Sequence, residues 1–205
     1  MDFDVNEIID KLSEEKPPLF VSERHFQVSF IMMAKSIYPK YSFIPEYVYF
    51  DEENNQELHI DLIVSFGEEK IAFEFKYITA GGVIKIPGNT NYQLKNHSAS
   101  GIRKYQCIKD LSRLEKYLTD SQIKKGHFIL ITNMRYLWEE GREGLTAAEF
   151  NISDECTINA GMHTPQGETR FAREYGAIEL RNEYIVRYKE YHRDPDFKYF
   201  IIDVC

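Results

Sequence analysis

The sequence predicts a mixed α/β domain, and three observations carry that prediction. Two segments ahead of residue 40 repeat apolar side chains at helical steps; residues 41–78 read as strands with a tight turn between the last two; and a long helical pattern at 100–119 leads into the apolar run HFILITN. With 205 residues, 43% of them hydrophobic and 14% aromatic, the chain suits one domain with a substantial core. No apolar run reaches the roughly 18 residues of a membrane span, and the acidic start MDFDVNEIID lacks the basic and apolar parts of a secretory signal. The expected residence is cytoplasmic, with no membrane partner. Cys107, Cys156 and Cys205 are widely spaced and form no CxxC pair, which speaks against a disulfide framework or a structural zinc site.

Asp4 precedes Val5, Ile8, Ile9 and Leu12, a helix that ends near Glu15 before Pro17-Pro18. Ser22 caps a second helix, whose positions Phe26, Phe30, Met33 and Ile37 recur at three- and four-residue steps as far as Tyr38-Pro39. One turn further back that stripe reaches Glu23, a carboxylate that the helix dipole alone would also favour. Residues 41–50 alternate loosely around Pro45 and read as a strand, with 51–56 as a polar turn. In ELHIDLIVSFGEEKIAFEFKYI, residues 57–78, Leu58, Ile60, Leu62, Val64 and Phe66 and then Ile71, Phe73, Phe75 and Tyr77 alternate with more polar neighbours. This is a β-hairpin in which each strand shows one apolar face. A two-residue turn at Gly67-Glu68 pairs Leu62 with Phe73 and sets Asp61 opposite Glu74; a four-residue loop over 67–70 sets Asp61 opposite Lys76. Either register gathers Asp61, Glu74 and Lys76 on one side, within about 5 to 8 Å of each other.

Residues 80–100 carry three glycines, a proline and several amides without sustained periodicity, and predict a long loop from which Lys85, Asn89, Asn91 and Lys95 would reach a phosphate backbone. Ser98 or Ser100 caps the next helix, which runs to about Thr119 with Cys107 or Ile108, Leu111, Leu114 and Leu118 inward and Arg103, Lys104, Lys109, Arg113 and Lys116 elsewhere. Gly126 releases the chain into a strand. Residues 134–181 are poorly periodic, and His163 and His192 read as surface or satisfied core histidines. Residues 184–188 and 197–204 read as closing strands that extend the sheet, joined by a turn at 192–195.

Two carboxylates and an ammonium on one strand face, in a segment otherwise rich in β-branched and aromatic residues, are unfavourable unless something compensates them. A hard divalent cation would do so. Mg²⁺ or Mn²⁺ takes one or two protein carboxylates and completes its shell with water and substrate phosphates, which suits Asp61 and Glu74; Lys76 would offset charge developing at phosphorus. An exposed polar strand face would use the same residues. The net charge of −8 taken alone argues against a nucleic-acid partner, but residues 76–125 hold ten basic side chains against three acidic ones, a local +7, which leaves −15 on the rest. That asymmetry suits an enzyme acting on phosphodiesters.

Asp61, twelve intervening residues and Glu74-Phe75-Lys76 resemble the Asp…Glu-x-Lys signature of the PD-(D/E)XK nuclease superfamily. LKNHSASGIRKYQCIKDLSRLEKYL, residues 94–118, is similar to the segment after the Glu-x-Lys strand in a group of bacterial members, and SERHFQ and FKYFIIDV look like their start and end. Ile60 stands where the superfamily's name has Pro. The resemblance implies a restriction-endonuclease-like α-β-β-β-α-β core with a central mixed sheet flanked by helices: an N-terminal helix and linker at 1–18, the core at 22–133 and an extension of the sheet at 134–205. It implies a metal-dependent nuclease with catalytic Asp61, Glu74 and Lys76, metal ligands Asp61, Glu74 and Glu23, and nucleic-acid contacts, DNA first, from Lys85, Lys95, Arg103, Lys104, Tyr105 and Gln106. A homodimer is compatible with it. The rival expectations are a non-cleaving nucleic-acid-binding module or a component of a restriction, repair or phage-defence system, and a globular interaction protein without a metal site.

Overall fold

The computed structural model describes residues 3–15, 19–51, 55–86, 90–97, 100–118, 123–140, 146–193 and 196–205. Helix α1 spans Val5–Glu14 and α2 spans Glu23–Ile37. The expected caps form: Asp4 accepts from Asn6 N at 2.9 Å, and Ser22 Oγ accepts from His25 N at 3.1 Å. Strands β1 (Ser42–Asp51), β2 (Gln56–Phe66) and β3 (Glu69–Ile78) follow, then β4 (Ala80–Ile86), β5 (Thr90–Asn96), helix α3 (Ser100–Tyr117) and β6 (Ile123–Thr132). The C-terminal third holds short pieces: α4 (Arg135–Trp138), β7 (Thr157–Ile158), β8 (Gly161–His163), α5 (Arg170–Glu174), β9 (Ile178–Leu180), β10 (Tyr184–Ile185) and β11 (Lys189–His192), closed by β12 (Phe197–Val204).

The result is a mixed α/β architecture around a six-stranded sheet of order β1-β2-β3-β6-β12-β11. Only β3 and β6 run parallel. Parallel neighbours require a crossover, and α3 provides it. Helices α1 and α2 pack on one face against Leu62, Val64, Phe73, Phe75, Ile129 and Ile131. Helix α3 and the short C-terminal elements cover the other face, over Ile63, Ala72, Phe128, Leu130 and Phe200. Buried Glu115 of α3 fastens the C-terminal third by accepting from Arg181 N at 2.8 Å, Asn182 N at 2.9 Å and Tyr184 Oη at 2.7 Å.

The hairpin adopts the two-residue turn: Leu62 pairs with Phe73, Val64 with Ile71 and Phe66 with Glu69, and Gly67 has φ +63°, open to glycine at little steric cost. Its apolar face is not continuous, however. Leu62 and Val64 face α1 and α2, whereas Leu58 and Ile60 pack with the α3 layer. The switch occurs at Asp61, opposite Glu46 of β1, which has φ +50°. There β2 also leaves β3: their ladder ends at Leu62–Phe73, while β3 stays paired with β6 as far as Ile78–Thr132.

Three further expectations are corrected. Residues 80–86 and 90–96 are not loop but the two strands of the ribbon β4–β5, with Gly81 at φ +80° and its Cβ position 3.0 Å from Asn96 Cβ, so no side chain fits there without displacement. Within 184–188 only Tyr184–Ile185 is strand, paired with β7 outside the main sheet; the strand beside β12 is Lys189–His192. Strand β6 begins at Ile123, ahead of Gly126. Pro17, Pro18, Asn89, Ser98 and Pro195 lie outside the described residues.

Candidate active site

Strand alternation fixes the first two groups of the site. Phe73, Phe75 and Tyr77 bury themselves against α1 and α2, so the intervening Glu74 and Lys76 point toward α3. The parting of β2 and β3 fixes the next two. Beyond Phe73, the edge of β3 that β2 has left presents backbone N–H groups without a strand partner. Asp61 Oδ2 accepts from Phe75 N at 2.8 Å, and Glu23 Oε2, at the first turn of α2, accepts from Tyr77 N at 3.0 Å. The carboxylates stand in for the missing strand.

Helix α3 completes the cluster with two residues not singled out from the sequence as site groups. Lys76 Nζ lies 2.6 Å from Asp110 Oδ2; Arg113 Nη2 lies 2.5 Å from Glu74 Oε2 and 3.0 Å from Asp110 Oδ1. The signal for them was present: Arg103, Gln106, Asp110, Arg113 and Tyr117 form a polar stripe at three- and four-residue steps beside the apolar stripe of α3.

Burial dominates the electrostatics. Glu74 is 0% exposed and its Oε1 has no hydrogen-bond partner. Burial pushes its pKa well above the usual carboxylate range, the charge of Asp110 adds to the rise, and Arg113 opposes it. Asp61 and Glu23 are raised by the same burial, against the hydrogen bonds from Phe75 N and Tyr77 N and the attraction of Lys76. For Lys76 burial disfavours the charge, but Asp110, Glu23 and Asp61 outweigh it and its pKa is raised. Lys76 is thus held as an ammonium, a donor and counter-charge rather than a base. Four carboxylates face two cations, a formal excess of two negative charges.

The cluster borders a cavity of about 530 Å³ between the N-terminus of α2, the end of β3, β5 and α3. Its lining includes Glu23, Lys76 and Asp110, and among cations Arg24, Lys95, Arg103 and Lys109. Arg24 is paired with Glu46, whereas Lys95, Arg103 and Lys109 make no ion pair among the described residues. Of the residues expected at a nucleic-acid interface, Lys95, Arg103 and Gln106 line this cleft, and Arg103 Nη1 donates to Gln106 Oε1 at 2.9 Å. Two others turn away. Lys104 is 8% exposed with Nζ 3.4 Å from Asn151 Oδ1, and Tyr105 is 7% exposed among Phe150, Phe171 and Tyr175. Their helical phase points them at the C-terminal third, whose packing the sequence does not announce. The side chain of Lys85 lies outside the described residues, and its backbone belongs to β4. His163 is structural: Nδ1 and Nε2 lie 2.7 and 2.9 Å from the carbonyls of Glu149 and Asn159.

Among the described residues no three His, Cys, Asp or Glu side chains close on one point at metal-ligand spacing. Two carboxylates suffice for Mg²⁺, and the unmatched Oε1 of Glu74, beside Asp61 in a cluster short of two positive charges, has the hard oxygen donors such an ion takes. Searches of protein-family models, curated proteins and solved structures found nothing that matches this chain.

Proposed function

We propose that the protein is a metal-dependent nuclease of restriction-endonuclease-like topology. The observation that carries this reading is the convergence of Glu23, Asp61, Glu74 and Lys76 with Asp110 and Arg113 beside a cleft whose free cations are Lys95, Arg103 and Lys109. The order α2-β1-β2-β3-α3-β6, with β4–β5 inserted, supports the topology. Asp61 and Glu74 would hold Mg²⁺ or Mn²⁺, with Glu23 as an outer carboxylate; the ion supplies Lewis acidity and a more acidic water. The cleft cations hold the phosphates on either side of the reacting one, and Lys76 donates to the water or to a phosphate oxygen. In the hydrolysis the water oxygen forms the new bond to phosphorus and the bond to the leaving sugar oxygen breaks. The water's proton passes to Glu23, a better acceptor for its raised pKa, and a proton from solvent goes to the leaving oxygen.

One observation favours a second reading, a nucleic-acid-binding module that does not cleave. Asp61 and Glu23 already cap strand N–H groups, and Arg113 and Lys76 already satisfy Glu74 and Asp110 in part, so the cluster is also a structural joint. Incubating wild type and the Asp61→Asn, Glu74→Gln and Lys76→Ala variants with DNA and RNA, each with Mg²⁺ or Mn²⁺, separates the two. Metal-dependent cutting by wild type, reduced at least a hundredfold in each variant (on the scale of removing a general catalytic group), supports the nuclease. Binding without cutting by wild type supports the module. A divalent ion at a hundred times its Kd should also stabilise wild type by about 2.7 kcal/mol, and Asp61→Asn by much less.

A further inference from the structure

On the other side of Arg113 lies a second cavity of about 530 Å³, walled by the start of β2, by α3 and by β9. Lys109 and Arg113 line both cavities. Arg113 therefore stands between two spaces, and the carboxylates it contacts, Glu74 and Asp110, lie beside a wall shared by both. The separation follows from the face switch at Asp61: the first half of β2 swings over α3, where Tyr117 Oη donates to His59 O at 3.3 Å, and leaves the space between Leu58, α3 and Ile178.

The chemistry of this second space is mixed in a particular way. Leu58 and Ile178 give it an apolar wall, and exposed Arg181 stands at its rim with a guanidinium that makes no ion pair among the described residues. The buried carboxylate of Glu115 is fully engaged by Arg181 N, Asn182 N and Tyr184 Oη, so it opposes an incoming anion little, while Glu57 and Glu179 lie exposed. An apolar surface for a sugar or base beside unpaired cations for phosphates is what consecutive nucleotides require.

We infer that this cavity is a second binding site for the same polynucleotide strand. The strand runs from the cleft of Lys95 and Arg103, across Lys109 and Arg113, to Arg181, and is held on both sides of the phosphate at the cluster. The inference rests on the nuclease reading above and adds a consequence to it: no chain end is needed, and cleavage is internal.

The test uses a covalently closed single-stranded circle and its linear form, made in both DNA and RNA, with wild type and Arg181→Glu in Mg²⁺ or Mn²⁺. Wild type should cut circle and linear strand at similar rates, and Arg181→Glu should cut both more slowly. Cutting of the linear strand alone, or an Arg181→Glu variant as fast as wild type, overturns the second site and leaves the nuclease reading standing. If wild type cuts nothing, the nuclease reading falls, and binding in Ca²⁺ decides the site. A salt slope smaller by about one unit in Arg181→Glu supports it; an unchanged slope, or no binding by wild type, overturns it.

Discussion

Glu74 has one oxygen on Arg113 and the other without a donor, in a position with no solvent exposure, and this arrangement fixes a pH dependence. Its folded-state pKa is raised above the ordinary value of 4.5, so ionisation destabilises the folded protein relative to the unfolded chain. That loss begins as pH rises through about 4.5 and is complete only above the folded-state pKa. Glu74→Gln keeps an acceptor for Arg113 and cannot ionise. In chelator, its melting temperature relative to wild type should therefore rise as pH increases from about 4.5 toward neutrality. A difference that stays constant over that range would show that Glu74 carries no such penalty. Glu74, Asp61 and Lys76 were legible as one group because period-two alternation puts Glu74 and Lys76 on one face and the hairpin turn brings Asp61 alongside them. Asp110 and Arg113 lie in a readable polar stripe of α3, but a charged pair three residues apart on a helix has the same pattern whether it faces water or a strand.

At the scale of elements, the hairpin followed from its alternation, with the register one of the two the sequence left open, and both early helices followed from their caps and apolar steps. The ribbon β4–β5 did not. Its strands belong to no larger sheet, so neither buries a full face, and the alternation that marks a half-buried strand is weak in Val83-Ile84 and Gln93-Leu94. The face switch within β2 was invisible for another reason: Leu58, Ile60, Leu62 and Val64 are all apolar, and apolar residues do not say which of two cores they join. The ribbon's root carries a prediction. Thr79 and His97 clasp it, with His97 N donating to Thr79 O at 2.9 Å, and Gly81 sits just above in a left-handed conformation against Asn96. Gly81→Val should destabilise the ribbon by about 1–3 kcal/mol. Hydrogen exchange should show faster amides in β4 and β5, with the protection of β3 and β6 unchanged; equal slowing or quickening of both sheets would mean the ribbon is not an independent unit.

Over the whole molecule of net charge −8, the cleft beside the cluster still gathers Lys95, Arg103 and Lys109, so nucleic-acid affinity, on the reading proposed above, should be strongly salt-dependent. Adjacent positions on α3 make a sharp comparison. Arg103→Glu should leave the fold intact and lower the salt slope of binding in Ca²⁺ by about one unit, whereas Lys104→Glu, which buries an acid among the C-terminal elements, should chiefly lower the melting temperature. Anisotropy titrations over a range of salt, with thermal melts of both variants, check this; equal loss of binding without loss of stability would place Lys104 at the interface after all. The C-terminal third that covers Lys104 stayed illegible because its order comes from long-range contacts, such as those to Glu115, rather than from any local period. The parting of β2 from β3 has a longer reach. Asp61 and Glu23 each hold a strand N–H that no backbone carbonyl replaces, while the ammonium of Lys76 reaches the carbonyl of Phe75 at 3.3 Å, so on the reading proposed above a descendant that lost cleavage would still need both acids to keep the end of β3 in place. In such lineages Asp61 and Glu23 should outlast the proposed activity, kept by the sheet rather than by the chemistry.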